Sequence, residues 1–111
     1  MTERQNKFLS DILVSIELIE SFIKDINSYE HYCFDFKTKS AVERQLGIIG
    51  EAVNKYMKEP ASIDLSNSRM IVNFRNRLVH SYDSIDDSIV WSIVVRYLQP
   101  LKEEVKSLIK N

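Results

Sequence analysis

Apolar residues recur along this chain at intervals of three and four, the spacing that puts them on one face of an α-helix. The first stripe predicts a helix from about Glu3 to Ile26, with an apolar face of Phe8, Ile12, Ile16, Ile19, Ile23 and Ile26. The second predicts a helix from about Thr38 to Lys58, with an apolar face of Val42, Leu46, Ile49, Val53 and Tyr56. The pattern breaks over residues 27–36, where we expect a loop with a short turn.

A third stripe predicts a helix from about Asn67 to His80, with Ile71, Phe74 and Leu78 on its apolar face. At or just before its start, Asp64, Ser66 and Asn67 are residues of types that can cap the first turn of a helix. A turn over residues 81–84 then separates it from the last stripe.

The fourth helix is predicted to start after Ser84, because Ser84 and Asp87 have the spacing of a capping box. Its apolar stripe begins at Val90 and continues to Leu108, and Pro100 lies inside it and should kink or split the helix. The four stripes together predict an all-α fold, an antiparallel four-helix bundle with short connections. The length predicts one domain over residues 1–111.

Both glycines of the chain, Gly47 and Gly50, fall inside the second predicted helix. A glycine in a helix interior costs roughly 1 kcal/mol relative to alanine. Two such costs in one helix indicate that another helix approaches it closely at these positions.

Charge and cysteine content narrow the possible functions. The net charge is −1, whereas constitutive nucleic-acid binders usually carry a basic excess, so any RNA contact must come from local basic residues. Arg69, Arg75 and Arg77 supply such a segment, and no acidic residue lies between Asp64 and Asp83.

The single cysteine, Cys33, cannot form an intramolecular disulfide or a multi-cysteine zinc site, which fits a reducing cytoplasm. The first ten residues are polar and unlike a signal peptide, and no apolar run approaches the ~20 residues of a membrane span. We therefore expect a cytoplasmic protein with no membrane partner.

The residues best suited to chemistry are crowded into the stretch 74–82, which carries two guanidiniums, an amide, an imidazole and a phenol. Asn76 and Arg77 are four and three residues before His80 and share its side of a helix. Arg75 is five residues before His80, about 140° around the helix. Geometry within one chain therefore favours Arg77 as the partner of His80, whereas a site formed by two chains would relax that preference.

These residue types suit RNA cleavage without a metal ion or another cofactor. A histidine can take or give a proton near neutrality, an arginine can stabilise charge on a phosphate, and an asparagine can orient either group. No acidic cluster with metal-ligand spacing is present in the sequence. Taken without further context, the same residues can also be solvated charges and a histidine favoured by the helix C-terminus.

The stretch from Arg75 to Tyr82, RNRLVHSY, resembles the R-x4-H-x-Y motif of HepT-like proteins, a branch of the HEPN superfamily. The segment 44–53, RQLGIIGEAV, resembles the family's second helix. Segments 89–94 and 98–101 resemble the family's sequence on the C-terminal side of the motif. The resemblance covers roughly residues 5–110.

This resemblance implies a HEPN-type homodimer that acts as a metal-independent endoribonuclease, with motifs from both subunits in one cleft. Arg75 and His80 would be catalytic, and Asn76 would support them, as Arg77 could from its position on the helix. The resemblance also implies a toxin paired with a minimal nucleotidyltransferase antitoxin of the MntA kind. That partner would silence the toxin by AMPylation of Tyr82, where bulk and negative charge would block the cleft.

Two other functions remain open from the sequence. The bundle could be a non-catalytic module that docks a nucleotidyltransferase or binds a nucleotide through its arginines, or it could be a structural helical dimer. Two neighbouring side chains also have alternatives, since Glu51 could pair with a motif arginine or be solvated, and Trp91 could belong to the core or to a dimer interface.

Overall fold

Six α-helices build the structure, a computed structural model that describes residues 1–110 apart from the side chains of Tyr82 and Lys110. They are α1 (Glu3–Ile23), α2 (Tyr29–Phe34), α3 (Phe36–Met57), α4 (Ser68–His80), α5 (Asp87–Ser92) and α6 (Leu98–Lys110). A 3₁₀ turn at Tyr82–Ser84 follows α4, and a π-helical segment at Ile93–Tyr97 joins α5 to α6. The described part of the chain contains no strand, which confirms the all-α prediction.

Side-chain caps fix where several helices begin. Thr2 and Gln5 form a capping box on α1, in which each side chain accepts a hydrogen bond from the other's backbone N–H, at 3.1 and 2.9 Å. The Asp35 carboxylate accepts from the Thr38 backbone N–H at 3.0 Å and from its hydroxyl at 2.9 Å, which starts α3. These hydrogen bonds stabilise the Asp35 carboxylate and lower its pKa.

The long helix α1 runs antiparallel to both of its neighbours, α3 and α6. The start of α1 lies beside the end of α3, where the Gln5 side-chain amide donates to the Pro60 carbonyl at 2.9 Å. The end of α1 lies beside the start of α6, where the Lys102 ammonium contacts the Glu20 carboxylate at 2.9 Å. The neighbours α1 and α3, α3 and α4, and α1 and α6 enclose the core, as the predicted antiparallel bundle requires.

The core is aliphatic, with two buried tyrosines at its edges. Its fully buried members include Ile12, Ile16, Ile49, Val53, Val90 and Leu101, all from the predicted stripes. Trp91 is partly buried and packs on the core beside Tyr32, with ring centroids 5.2 Å apart. None of the described helices is both long and apolar enough to cross a membrane.

Three local predictions were wrong. Residues 27–36 hold the helix α2, because the Ser28 hydroxyl caps it by accepting from the His31 backbone N–H at 3.1 Å. Asp86, not Ser84, caps α5, with its carboxylate 2.8 Å from the Ser88 backbone nitrogen. Asn67 precedes α4 in the left-handed conformation, with φ of 62°, and makes no side-chain cap.

The interruption expected from Pro100 is present, but it lies ahead of the proline. A proline removes the backbone N–H that would bond to the carbonyl four residues earlier, and its ring crowds that carbonyl. The wide π-helical turn at Ile93–Tyr97 ends just before the proline and divides the fourth predicted helix into α5 and α6.

Candidate functional site

The helix α4 carries the candidate catalytic and supporting residues, Arg75, Asn76, Arg77 and His80. Its buried residues, Ile71 and Phe74, hold it on the bundle. Asn76, Arg77 and His80 are exposed. The side chains suited to RNA chemistry therefore face outward from a helix that is anchored along its other face.

Arg75 lies at the closest approach between α3 and α4. A Cβ atom added at Gly50 would come within 2.9 Å of the Arg75 Cγ and 3.2 Å of the Ile71 carbonyl oxygen. Gly50 is buried, so no larger residue fits there without moving α4. The prediction of a close helix contact is thus correct at Gly50 and wrong at Gly47, where an added Cβ would meet nothing within 4 Å.

The Arg75 guanidinium is oriented by two neighbours. Its Nη1 donates to the Asn76 Oδ1 at 3.0 Å, and its Nη2 lies 3.9 Å from the Glu51 Oε2. The Glu51 carboxylate also lies 3.3 Å from the Lys55 ammonium. Arg75 is therefore positioned but only weakly neutralised, and its side chain remains 28% exposed, enough to meet an anion.

His80 is the last residue of α4 and lies in the open. The Ser81 backbone N–H still bonds to the Arg77 carbonyl at 2.8 Å, but Ser81 leaves the helical conformation, with φ of −145° and ψ of 40°, and the chain then enters the 3₁₀ turn. The polar contacts of Arg75 go to Asn76 and Glu51, not to His80. One chain therefore holds Arg75 and His80 on one helix without joining them.

Tyr82 begins the 3₁₀ turn two residues after His80, so its backbone lies directly beyond the end of α4. Its side chain lies outside the described residues. The other histidine, His31, is exposed on α2.

Two grooves flank α4, one on each side. The α3–α4 groove has a volume of about 400 Å³ and contains Arg75. It mixes charges of both signs with apolar side chains, namely Glu43, Arg44, Glu51, Ile48, Leu78 and Val79. The groove therefore holds two carboxylates and two guanidiniums, whose formal charges sum to zero. Burial, together with the nearby charge of Asp87, raises the pKa of Glu43.

The α4–α5 groove has a volume of about 470 Å³ and lies between α4 and the α5–π segment. Its polar wall is Arg69, Asn73 and Arg77, and its apolar floor is Met70, Phe74, Ile89 and Ile93. The side chains that line it include no carboxylate. The sequence identified Arg69 and Arg77 as local positive charges but did not predict this groove. Arg69, Asn73 and Arg77 follow one another at intervals of four, and that spacing would have indicated that they share one face of the helix.

The described side chains around these grooves do not form a metal-binding cluster. Across the described residues, no three histidine, cysteine, aspartate or glutamate side chains come together as a metal-binding group would. The groups available to act on a substrate at α4 are its guanidiniums, two amides and an imidazole.

Comparison with known proteins shows the family of the whole chain. The profile of the family described as Ribonuclease HepT-like matches residues 12–108. The chain belongs to the HepT-like family. A Thermococcus cleftensis protein named "Probable ribonuclease HepT" is 33% identical over 114 residues, which cover 99% of this chain and 100% of that protein.

A second relative of this HepT-like chain comes from Methanocaldococcus jannaschii and is named as a "Putative RNase". It is 36% identical over 109 residues, which cover 96% of this chain and 98% of that protein. No solved structure gives a significant match. The family resemblance read from the motif around Arg75 and His80 is confirmed.

Proposed function

We propose that this HepT-like chain is a metal-independent endoribonuclease toxin in which Arg75 of one subunit acts with His80 of a second copy. One observation carries the proposal. Both residues lie on the same helix with side-chain surface open to solvent, yet the contacts of Arg75 do not include His80. A two-fold dimer that apposes two copies of α4 supplies the missing partner to each.

The reaction that these groups support is transfer of an RNA phosphate onto the neighbouring ribose. The imidazole of one His80 takes the proton of the 2′-OH as its oxygen attacks phosphorus. The bond to the 5′-oxygen breaks, and that oxygen takes a proton from solvent, while the imidazolium returns its proton to solvent. The products are a 2′,3′-cyclic phosphate and a 5′-hydroxyl, and one histidine in each site balances the protons through water.

Arg75 supports this step electrostatically. Two nonbridging oxygens gain negative charge as the phosphorus becomes five-coordinate, and a guanidinium can donate to both of them. The Asn76 amide oxygen already holds one arm of that guanidinium at 3.0 Å. Arg77, one turn before His80, lies where it can hold an adjacent phosphate.

The surface most suited to the second copy is the α3–α4 groove. It contains Arg75 and exposes apolar side chains around it, including Val79 at 54% exposure and the partly buried Ile48 and Leu78. Burying this face would bring the motif helices together and remove exposed apolar area from water.

The decisive experiment mixes two inactive variants. Arg75→Ala and His80→Ala each lack one group, but their heterodimer holds one site with Arg75 from one copy and His80 from the other. Random pairing should then restore about a quarter of the wild-type cleavage rate, because half of the dimers are mixed and each has one intact site. No restoration would place both groups in one chain, and an inactive wild type would favour the non-catalytic module.

The same proposal includes control by a minimal nucleotidyltransferase antitoxin that attaches AMP to Tyr82. Support comes from the backbone, which places Tyr82 in the turn directly after His80. A nucleotide attached there would bring bulk and phosphate charge to the end of α4 that RNA must approach.

A further inference from the structure

The polar wall of the α4–α5 groove points along α4 toward His80. Arg69, Asn73 and Arg77 are spaced by four residues and form one row, and His80 follows Arg77 by three. The row from Arg69 to Arg77 extends about 12 Å along the helix axis. A chain of phosphates lying on this row would arrive at the imidazole.

Charge distinguishes this groove from the one on the other side of α4. The wall residues are exposed, and the ion pairs among the described side chains include neither Arg69 nor Arg77. In the α3–α4 groove, by contrast, Glu43 and Glu51 face Arg44 and Arg75. The α4–α5 groove therefore carries an uncompensated positive wall on a chain whose net charge is −1.

Asp86, a carboxylate within the electrostatic reach of Arg77, is bound to other groups. It accepts hydrogen bonds from the Ser88 hydroxyl and backbone N–H at 2.6 and 2.8 Å, which lower its pKa, and the charge of Arg77 adds to this effect. Asp86 forms no ion pair with Arg77 within the described structure. The guanidinium of Arg77 thus keeps its donors for another anion.

The floor supplies the second half of a nucleotide site. Phe74 and Ile93 are buried, whereas Met70 and Ile89 are partly exposed at the groove. An apolar floor beside a cationic wall matches the two parts of a nucleotide, whose base avoids water while its phosphate needs donors. A volume of about 470 Å³ is within the range of small-molecule sites.

We propose that the α4–α5 groove binds single-stranded RNA, with phosphates on Arg69 and Arg77 and a base on the Met70–Ile89 floor, and leads the strand to His80. This inference rests on the proposed function and deepens it by assigning the path of the substrate. It makes Arg69, two turns away from Arg77, a binding residue with no part in the bond-breaking step.

The test measures binding apart from cleavage. A short single-stranded RNA with every 2′-OH methylated lacks the nucleophile and can be bound but not cut. Its Kd for wild type, Arg69→Gln and the control Arg96→Gln is measured by fluorescence anisotropy at several salt concentrations. Arg96 is an exposed arginine that lines a different pocket, with Tyr29 and Trp91.

Arg69→Gln should weaken binding by about tenfold, the loss of one charge-assisted hydrogen bond. The slope of log K against log salt should become shallower by about 0.7, the value for one lost phosphate contact on a single strand. Arg96→Gln should match wild type. Equal Kd values for wild type and Arg69→Gln would overturn the proposal.

Polyphosphate, an anion without bases, tests the floor. Ile89→Gln, checked for folding by circular dichroism, should weaken binding of the RNA analogue and leave that of polyphosphate unchanged. Equal losses for both anions would overturn the base-binding role. A shift from dimer to monomer in Arg69→Gln with unchanged RNA affinity would show instead that the groove is a protein interface.

These measurements distinguish failure of the groove proposal from failure of the proposed ribonuclease function. A wild type that binds the analogue through Arg69 but cuts no natural RNA supports the groove and rejects the proposed function. A wild type that cleaves RNA while Arg69→Gln binds and cleaves equally well keeps the function and rejects the groove.

Discussion

Arg75 occupies its place because residue 50 has no side chain. The Arg75 Cγ would lie 2.9 Å from a Cβ atom at Gly50, closer than real Cβ contacts allow. The glycine thus sets how near α4 lies to α3, and with it where the guanidinium meets Asn76 and Glu51. A residue outside the motif fixes the geometry of a residue within it.

The two glycines of α3 should respond oppositely to alanine. Gly50→Ala forces α4 outward and should lower the free energy of unfolding by about 1–3 kcal/mol, the usual penalty for overpacking. Gly47→Ala meets open space and should raise it by up to about 1 kcal/mol through helix propensity. Urea denaturation measures both, and RNA cleavage should fall in Gly50→Ala. A stabilised Gly50→Ala would contradict the close contact.

The proposed dimer surface can be tested with two valines of equal exposure. Val79, in the α3–α4 groove, is 54% exposed, and Val14, on α1, is 55% exposed. Val79→Glu should dissociate the dimer and abolish cleavage, because a charge would be buried at the interface without a partner. Val14→Glu should leave both unchanged. Sedimentation velocity gives the masses, and a dimeric Val79→Glu would place the interface elsewhere.

Loss of either catalytic group should stop the reaction without unfolding the protein. His80→Ala and Arg75→Ala should each reduce cleavage by at least about 100-fold, through lost proton transfer and lost charge stabilisation. Arg75→Lys keeps the charge but not the forked donors, so it should retain partial activity. EDTA should not change the wild-type rate. Cleavage that persists in His80→Ala, or that EDTA abolishes, would contradict this mechanism.

The long helices could be predicted from the sequence, whereas the short α2 and the start of α5 could not. The stripes around Ile16, Ile49 and Phe74 identify buried faces because burial of apolar area dominates the pattern. The short α2 escaped notice because it buries only Tyr32 and depends on the Ser28 cap rather than on a stripe. Likewise, Ser84 and Asp86 are both plausible caps, and only tertiary packing chooses between them.

The sequence predicts the candidate residues but not the surface that they form. The motif points to Arg75 and His80 as candidates, and helix periodicity alone separates them by about 140° around one helix. Nothing in the sequence separates Gly47 from Gly50, because their difference arises from which neighbour faces each one. The α4–α5 groove depends on the separation between two helices, a quantity that no local pattern contains.

Stability should depend on pH through Glu43. Burial and the Asp87 charge raise its pKa, with a partial offset from Lys39, so the folded protein holds this proton more tightly than the unfolded chain. Its contribution to stability therefore falls as pH rises from the unfolded pKa through the raised folded pKa. Glu43→Gln should gain stability over wild type near pH 7, by less than about 1 kcal/mol, and not near pH 4.

Urea denaturation at both pH values measures this difference. Glu103→Gln, an exposed position on α6, is the control and should show no such gain. A Glu43→Gln protein that is less stable near pH 7 would mean that the electrostatic attraction of Lys39 for Glu43 outweighs the cost of burying Glu43.

Tyr82→Phe should resist the antitoxin. The variant lacks the phenol oxygen that would accept AMP, so it should still cleave RNA but gain no mass after incubation with ATP, magnesium and the cognate nucleotidyltransferase. Tyr29→Phe, at an exposed tyrosine on α2, should be modified like wild type. Intact-mass spectrometry reads the result. AMP units on Tyr82→Phe would place the modification on another residue.

The segment before α4 is tied to three other elements. The Pro60 carbonyl accepts from Gln5 at 2.9 Å, the Ile63 N–H donates to the Tyr56 hydroxyl at 3.0 Å, and the Ser66 hydroxyl donates to Glu104 at 2.9 Å. At the other end of α4, Asn76, Arg77 and His80 are exposed. The motif helix is therefore anchored to the bundle at its start and along Ile71 and Phe74, and open to solvent where it ends. Amide protons in its last turn should exchange faster than those around Phe74, and a partner bound at His80 should slow that exchange.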